Sequence, residues 1–428
     1  MNNVFWYTLQ EPRKTGPLTG DMTVDAVVIG GGVAGLTTAQ ALHAQGLSVV
    51  LLEKDFCGSG ASGKSSGFIA ADAELGLRDF THHFGKKRAQ ELWQFGSGGV
   101  EHIRQNILNY ELKCDYKVQD SLFIANNKSG YAEVKDEFKA QKQDGYQVDL
   151  YDQQKIKTII GSDQFYGGVR YGHTFGMSAY LYCQGLQSQL QQAGVHIYTQ
   201  TEAIKIEANQ VHTDRYRLSA GAIIVCADYQ VAGLGLLRSD VYHVQTFIGV
   251  TKPLSDSQVQ RMFPTGNLMV WDTDLVFNYF RIIGNNRLLI GGGDIWNTYA
   301  RGQNCHASSI NQKLLDYVAK KFPYITGQFD HFWPGLIGIT KDLVPLAGQD
   351  TKNPNLYYIS GATGLAWATA LGLYISQKIV NKRADLDPVF DPGHYRPLSS
   401  YWSYLIGTQA TFALSNLKSK FLTKNYKI

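Results

Sequence analysis

The sequence predicts an α/β protein of two domains: a dinucleotide-binding Rossmann unit and a second domain built on a mainly antiparallel sheet. Three observations carry this. Near the N-terminus an apolar run enters a glycine turn and then a helical pattern, over "VDAVVIGGGVAGLTTAQALHAQGLSVVLLE". A second strand–glycine–helix run, "NLYYISGATGLAWATALGLYISQKI", lies far downstream. Between them, residues 241–295 hold long alternating runs typical of strands with one buried face. At 428 residues the chain exceeds what one hydrophobic core organises, so two domains are expected.

The elements follow in order. Residues 24–30 read as a buried strand, 33–45 as a helix and 48–53 as a second strand, a βαβ unit with short connections. After Phe68, "AQELWQFGSGGVEHIRQNILNY" has helical periodicity, "YKVQDSLFIAN" alternates, and a polar helix is expected near 130–143. A helix at about 178–193 starts at Ser178, whose hydroxyl suits an N-cap. Short strands "VHIYT", "AIKIEA", "RYRLS" and "GAIIVCA" come next. The runs "VFNYFRII" and "NRLLIGGG", separated by Gly284–Asn285, predict an antiparallel pair with a tight turn. The expected division is 1–85, 150–235 and 335–388 for the dinucleotide domain, 86–149 and 236–334 for the second, and 389–428 as a helical tail.

Composition narrows the class. A net charge of +4 without a basic block is no nucleic-acid signature. Cys57, Cys114, Cys183, Cys226 and Cys305 are scattered, odd in number and without a C-x-x-C pair. They argue against a disulfide framework and a zinc site and fit a reducing, cytoplasmic compartment. The start, "MNNVFWYTLQEPRKTGPL", lacks the basic and apolar regions of a secretory signal. From Pro397 to Leu417 the chain is uncharged, with lysines following at 418, 420, 424 and 427. Its many Ser, Thr, Gln and Asn residues favour a helix packed on the protein, or a peripheral membrane contact of the 397–428 tail, over a span.

Chemistry enters at Gly30-x-Gly32-x-x-Gly35. Gly30 permits the tight turn, Gly32 a close approach of backbone to pyrophosphate, and Gly35 close packing of helix on strand. Glu53 ends the second strand, where a carboxylate accepts from ribose hydroxyls. FAD, NAD and NADP share this pattern. A nicotinamide domain continues with alternating strands and helices, whereas here the chain enters "CGSGASGKSSGF", Cys57 to Phe68. Such a loop presents unhindered N–H groups and hydroxyls, suited to a second phosphate or a flavin edge.

These segments together resemble the D-amino-acid-oxidase superfamily of FAD-dependent oxidoreductases, nearest its γ-glutamylputrescine oxidoreductase-like amine oxidoreductases. "FWYTLQEP" is similar to that group's aromatic leader, "AYLYCQGLQSQLQQAGVHIYTQTEAIKIE" to its helix and adenine-side strand, and "NYFRIIGNNRLLIGGGD" to its substrate-domain hairpin. "FWPGLIGITKDLVPLAG" with "NLYYISGATGLAWATALG" resembles its closing flavin motif. The resemblance implies a glutathione-reductase-like FAD domain and an antiparallel sheet roofing the flavin. It places Gly30, Gly32, Val33, Ala34 and Gly35 at the pyrophosphate, and Glu53 and Lys54 at the ribose. Gly60, Ala61, Ser62, Gly63, Lys64, Ser66, Gly67 and Phe68 would run along pyrophosphate and flavin. Ile204, Cys226 and Ala227 would close the adenine side, and Gly361, Gly364, Leu365 and Ala366 would meet the flavin's pyrimidine end.

The chain departs from that pattern at Lys64-Ser65-Ser66, where the family loop carries Arg, Asn and Gly. Neither this loop nor the Trp333 region offers a tethering His or Cys, so non-covalent FAD is expected. The closing segment offers Lys341 and Asp342 rather than an arginine for a substrate carboxylate, which favours an amine substrate or an amino group remote from its carboxylate. The implied reaction is hydride loss from the carbon bearing nitrogen to flavin N5, then imine hydrolysis, with oxygen or a quinone reoxidising the flavin. Tyr279 and Arg281 alternate on one strand and so share a face. With Lys64 they are the candidates for substrate contact, and Arg281 could hold a remote carboxylate. His173, His243, Trp333 and Trp367 are weaker candidates. Two other readings remain open: a non-catalytic flavoprotein subunit, and an FAD domain acting on modified tRNA.

Overall fold

In the computed structural model, residues 4–72, 74–299, 307–392 and 407–422 are described. β1 (Met22–Ile29), α1 (Val33–His43) and β2 (Val49–Leu52) make the expected βαβ unit. Ala26 to Ile29 and all of β2 are buried because helices cover one face of the sheet they enter, while Leu18, Val231, Leu236 and neighbouring strands cover the other. α2 (Ala61–Lys64) and β3 (Phe68–Ile69) lie within the second glycine-rich stretch. α3 (Leu77–Asn109) is broken at Gly85, where φ is 76°, into two helical segments.

β4 (Lys117–Val118), β5 (Ser121–Ile124), α4 (Lys128–Gln143), β6 (Val148–Asp152), α5 (Gln153–Ile159), β7 (Gly167–Tyr171) and β8 (Phe175–Gly176) follow. α4 and α5 start where Asn127 and Asp152 accept from backbone N–H groups of their first turns. α6 (Ala179–Gln192) is capped by Ser178, whose hydroxyl accepts from Leu181 N–H. Next come β9 (His196–Tyr198), β10 (Lys205–Glu207), β11 (Gln210–His212) and β12 (Arg217–Val225). "RYRLS" and "GAIIVCA" are thus one strand; from Leu218 to Val225 it runs in register with β1, which overrides the breaker tendency of Gly221.

The roof is β13 (Val241–Pro253), α7 (Asp256–Met262), β14 (Met269–Asp272), β15 (Tyr279–Ile283), β16 (Arg287–Gly292), α8 (Ile295–Thr298), α9 (Ala307–Lys321) and β17 (Phe329–Thr340). The chain then returns through β18 (Leu346–Gln349), β19 (Leu356–Ser360), α10 (Leu365–Asn381), α11 (Asp387–Phe390) and α12 (Thr408–Leu422).

Two eight-stranded sheets result. The first has the parallel core β19-β12-β1-β2-β9, with β10, β11 and β18 at its margins. The second runs β17-β13-β16-β15-β14-β5-β7-β6 and is antiparallel except at β14–β5. This is the two-sheet α/β architecture the sequence predicts.

The domain limits differ from those expected. β6 and β7 belong to the second sheet, although residues 150–171 were expected in the first domain. Residues 86–109 of α3 pack in the first core, although they were expected in the second. Helical periodicity marks which face of α3 is buried but not against which sheet. The partner is α10: a Cβ on Gly99 would meet Ala366 O at 1.9 Å, so the two helices touch backbone to backbone.

Candidate active site

The glycine turn is shaped by contact. A Cβ on Gly30 (φ 110°) would lie 2.5 Å from Cys226 O, and one on Gly35 would lie 1.9 Å from Gly30 O. Only glycine lets the turn fold under α1 and against β12. Gly32 caps α1 in extended conformation, with no side-chain cap and no acidic residue in the first turn. Ser62 approaches from the second loop, its hydroxyl accepting from Val33 N–H at 3.1 Å. Glu53 is buried; one oxygen accepts from Gly31 N–H at 2.7 Å, the other from Asp55 N–H at 2.9 Å and Ser59 Oγ at 3.3 Å. Burial raises the pKa of its carboxyl, and these bonds oppose the rise.

The second loop is held from behind at four successive carbonyls. Trp333 Nε1 donates to Lys64 O (3.0 Å), Trp6 Nε1 to Ser65 O (2.8 Å), Arg281 Nε to Ser66 O (2.9 Å) and Met177 N to Gly67 O (2.9 Å). With its carbonyls engaged outward, the stretch presents Lys64, Ser66 and Phe68 to a cavity of about 410 Å³. Gly67 (φ 72°) sits so close to β8 that a Cβ would lie 1.7 Å from Met177 O.

The third wall is the segment before α10. Gly361 and Gly364 have φ of 66° and 94°, and Gly364 caps α10 without a side-chain bond or an acid in the first turn. Gly364 and Leu365 line the cavity, with Ala362 and Thr363 beside them. The Thr363 hydroxyl is buried without a protein partner. Ala366, by contrast, faces α3 and lies outside the lining.

The remaining candidates divide. Tyr279 lines the cavity, its hydroxyl 3.2 Å from Thr246 Oγ1 and its ring 5.9 Å from that of Phe68; burial pushes its pKa up to about 12. Lys64 lines it too, and burial lowers the pKa of its ammonium. Arg281 corrects the expectation of a carboxylate holder. It is fully buried behind the loop, donating to Ser66 O and to Met177 O at 2.7 Å, and lies outside the lining.

Ile204 can serve an adenine with only half of its backbone. Its side chain is exposed, and its N–H is spent on His212 O at 2.8 Å, so only its carbonyl remains for an adenine. Lys54 donates to Gln230 at the surface, and Cys226 lies buried under Gly30 with Ala227 next to it. Trp333 and Trp367 are core residues, the latter donating to Ala71 O at 2.8 Å. His243 stacks on Tyr242 and His173 bonds Arg104 through its carbonyl; neither lines the cavity.

The cavity lining is rich in acidic residues. Asp72, Glu74, Asp79, Glu133, Glu137, Asp272 and Asp274 are seven carboxylates against two cations, Lys64 and Arg78. Arg78 is already paired, with Asp79 at 2.7 Å and Glu133 at 3.6 Å. Glu137 accepts from Leu77 and Arg78 N–H groups at the start of α3. Asp72 receives a hydrogen bond from the Tyr171 hydroxyl, yet burial and the nearby Glu137 raise its pKa to about 7. Sequence reading missed this wall because its carboxylates come from α3, α4, β14 and the loops beside them, with no shared spacing. The family described as DAO, FAD dependent oxidoreductase, matches residues 25–378.

The chain belongs to that family.

Among curated relatives of this DAO chain, the γ-glutamylputrescine oxidoreductase of Escherichia coli is 28% identical over 360 residues, 81% of each protein. A probable oxidoreductase, OrdL, of Haemophilus influenzae is 27% identical over 367 residues, covering 81% of this chain and 80% of the relative. The crystal structure of glycine oxidase from Geobacillus kaustophilus superposes with a TM-score of 0.75 at 18% identity, over 88% of this chain and all of the other. That likeness speaks for the fold.

As a DAO member the protein is an FAD-dependent oxidoreductase. The residues present fit this cofactor. α1 and α10 both begin at glycines without a side-chain cap; Val33 N–H is taken by Ser62, and the N–H groups of Ala34 and Gly35 in α1 and of the first turn of α10 are those suited to an anion or a flavin edge. The orphan hydroxyls of Ser65 and Thr363 lie at the same cavity. Among the described residues no helix is long and apolar enough to cross a membrane. α12 packs on the protein through Thr411, Phe412, Ser415 and Asn416; the other parts of the 397–428 tail, 397–406 and 423–428, lie outside the described residues.

Proposed function

We propose that this chain oxidises the C–N bond of a cationic amine, with non-covalent FAD as the immediate electron acceptor. The observation that carries the reading is the composition of one cavity: its lining joins the glycine-rich loop and the start of α10 to seven carboxylates, and holds no unpaired arginine. A free α-amino acid needs a cation for its carboxylate; Arg281 is committed to the loop, Arg78 is paired, and Lys64 alone stands against the seven carboxylates. A positively charged amine instead finds complementary charge. The name of the E. coli relative supports a nitrogen-bearing substrate.

In this reading Gly30, Gly32, Val33, Ala34 and Gly35 with the first turn of α1 hold the pyrophosphate, and Glu53 the ribose. Residues 60–68 and Gly361–Leu365 hold the flavin. When bound, FAD accepts the hydride that leaves the carbon bearing nitrogen. The chain's own residues attract and orient the substrate. Asp72 is the group placed to pair with the ammonium and to take its proton, because its carboxyl ionises near neutrality beside the Tyr171 hydroxyl. Phe68, Trp271 and Tyr279 wall the reacting carbon from water. As hydride and proton leave, carbon and nitrogen form an imine; water then adds and the carbonyl product separates from the amine.

Mixing the holoenzyme anaerobically with a panel of amines and amino acids tests this. Bleaching of the flavin absorbance by cationic amines, and not by free α-amino acids, is the expected result; the reverse order overturns it. Admitting air and measuring peroxide then separates oxygen from a quinone as the final acceptor.

A further inference from the structure

The family match ends at residue 378, and α12 lies beyond it. This helix nevertheless packs against residues that line or flank the cavity. Asn416 is 2% exposed, and its amide is fully used. Nδ2 donates to Thr340 O at 2.7 Å and to Lys341 O at 2.9 Å, while Oδ1 accepts from the Tyr299 hydroxyl at 3.0 Å. That donor–acceptor pattern fits only one orientation of the amide. One turn away Phe412 is fully buried, its ring 5.4 Å from Tyr242 and 5.3 Å from the Lys341 ammonium. Gln409 donates to Tyr299 O, so α12 grips that residue by both backbone and side chain. Leu414, on the other face, is exposed.

What α12 grips is cavity wall. Thr298 and Tyr299 line the cavity from the end of α8; Ile339 and Leu343 line it on either side of the Thr340–Lys341 carbonyls. Thr340 also touches the glycine segment before α10, where a Cβ on Gly361 would lie 2.8 Å from its Cγ2. We infer that α12 backs a wall of the active site and that Asn416 is a positioning residue, which fixes the Tyr299 ring at the cavity and thereby limits the size of amine that enters. The Tyr299 hydroxyl is held away from substrate, so the ring acts by shape. Removing the Asn416–Tyr299 bond frees the ring, widens the cavity and opens it to solvent, with the carboxylate wall intact.

The test uses the full-length holoenzyme with Asn416→Ala, Tyr299→Phe and the double variant; Leu414→Ser on the exposed face is the control. Two readouts are taken: acrylamide quenching of bound-flavin fluorescence, and KM and kcat for amines of rising bulk. Each single variant is expected to raise the quenching constant about threefold, and to raise KM for the smallest amine about tenfold with kcat changed less than about threefold. Bulkier amines should be relatively favoured. The double variant should be no worse than the more severe single one, since the Asn416–Tyr299 bond is already absent from each. L414S should match the unaltered chain. Unchanged quenching in Y299F, or effects of N416A and Y299F that simply add, overturn the inference. If N416A does not fold, Y299F alone decides, since it removes one oxygen. The inference rests on the amine reading only for its kinetic arm: if no amine reduces the flavin, that reading fails, while the quenching comparison still decides the role of Asn416.

Discussion

Trp333 Nε1 donates a 3.0 Å hydrogen bond to the carbonyl of Lys64, joining the second sheet to the glycine-rich loop across 269 residues of chain. With the donors from Trp6, Arg281 and Met177 it leaves no carbonyl of Lys64 to Gly67 free to turn inward. The loop's carbonyls are therefore held by groups outside it.

Replacing Trp333 with Phe keeps the ring and deletes the donor, leaving a buried carbonyl unpaired at a cost of about 1–3 kcal/mol. FAD affinity should fall about tenfold, seen as flavin lost on gel filtration, while KM of the flavin-loaded fraction stays within about twofold.

Arg281→Lys separates the two roles open to Arg281. An ammonium cannot fork to Ser66 O and Met177 O as the guanidinium does. The expected outcome is weaker FAD binding and a lower melting temperature with an unchanged KM. A rise in KM of more than about tenfold with FAD fully retained would restore the substrate-carboxylate role.

Gly67→Ala should yield protein without FAD, because the new methyl meets Met177 O at 1.7 Å and the φ of 72° disfavours it besides. Gly60→Ala has open space around its Cβ and should fold normally. Circular dichroism and flavin content compare the two. FAD loss in folded G60A would report contact of residue 60 with the cofactor.

Asp72 ties activity to pH. Its carboxyl in the folded chain holds a proton up to about pH 7, because burial, Glu137 and Glu74 outweigh the bond from Tyr171. For a cationic amine, kcat/KM should therefore climb as pH rises through 7, and Asp72→Asn should lose that limb and raise KM about 10- to 100-fold. Stability runs the other way. The unfolded chain releases this proton near pH 4, so the native state binds more protons between about 4 and 7 and loses stability as pH rises across that window. At pH 8 the Asn variant should melt about 1–3 °C higher than the unaltered chain. Identical melting temperatures at pH 8 would show that Asp72 carries no such penalty.

Much of the fold was legible. The α1 turn, the Ser178 cap and the Gly284 turn are local events, set by residues within a few positions of each other. α9 went unread although Ile310, Leu314 and Val318 recur at helical spacing along its buried face. The carboxylate wall could not be read in advance. Asp72, Glu137 and Asp272 are far apart in sequence, and nothing local to any of them says that they line one cavity.

By itself the sequence determined the dinucleotide turn, the family and hence the cofactor, because glycine placement between strand and helix follows from backbone sterics over a few residues. It also determined that Tyr279 and Arg281 share a face, because the pleat of a strand is local. Only the tertiary structure decided how deep each sits: Tyr279 at the cavity, Arg281 beneath the loop, Asn416 behind Tyr299. Depth depends on which distant segment packs against a face, and that is settled by the joint burial of both sheets rather than by any one stretch of chain.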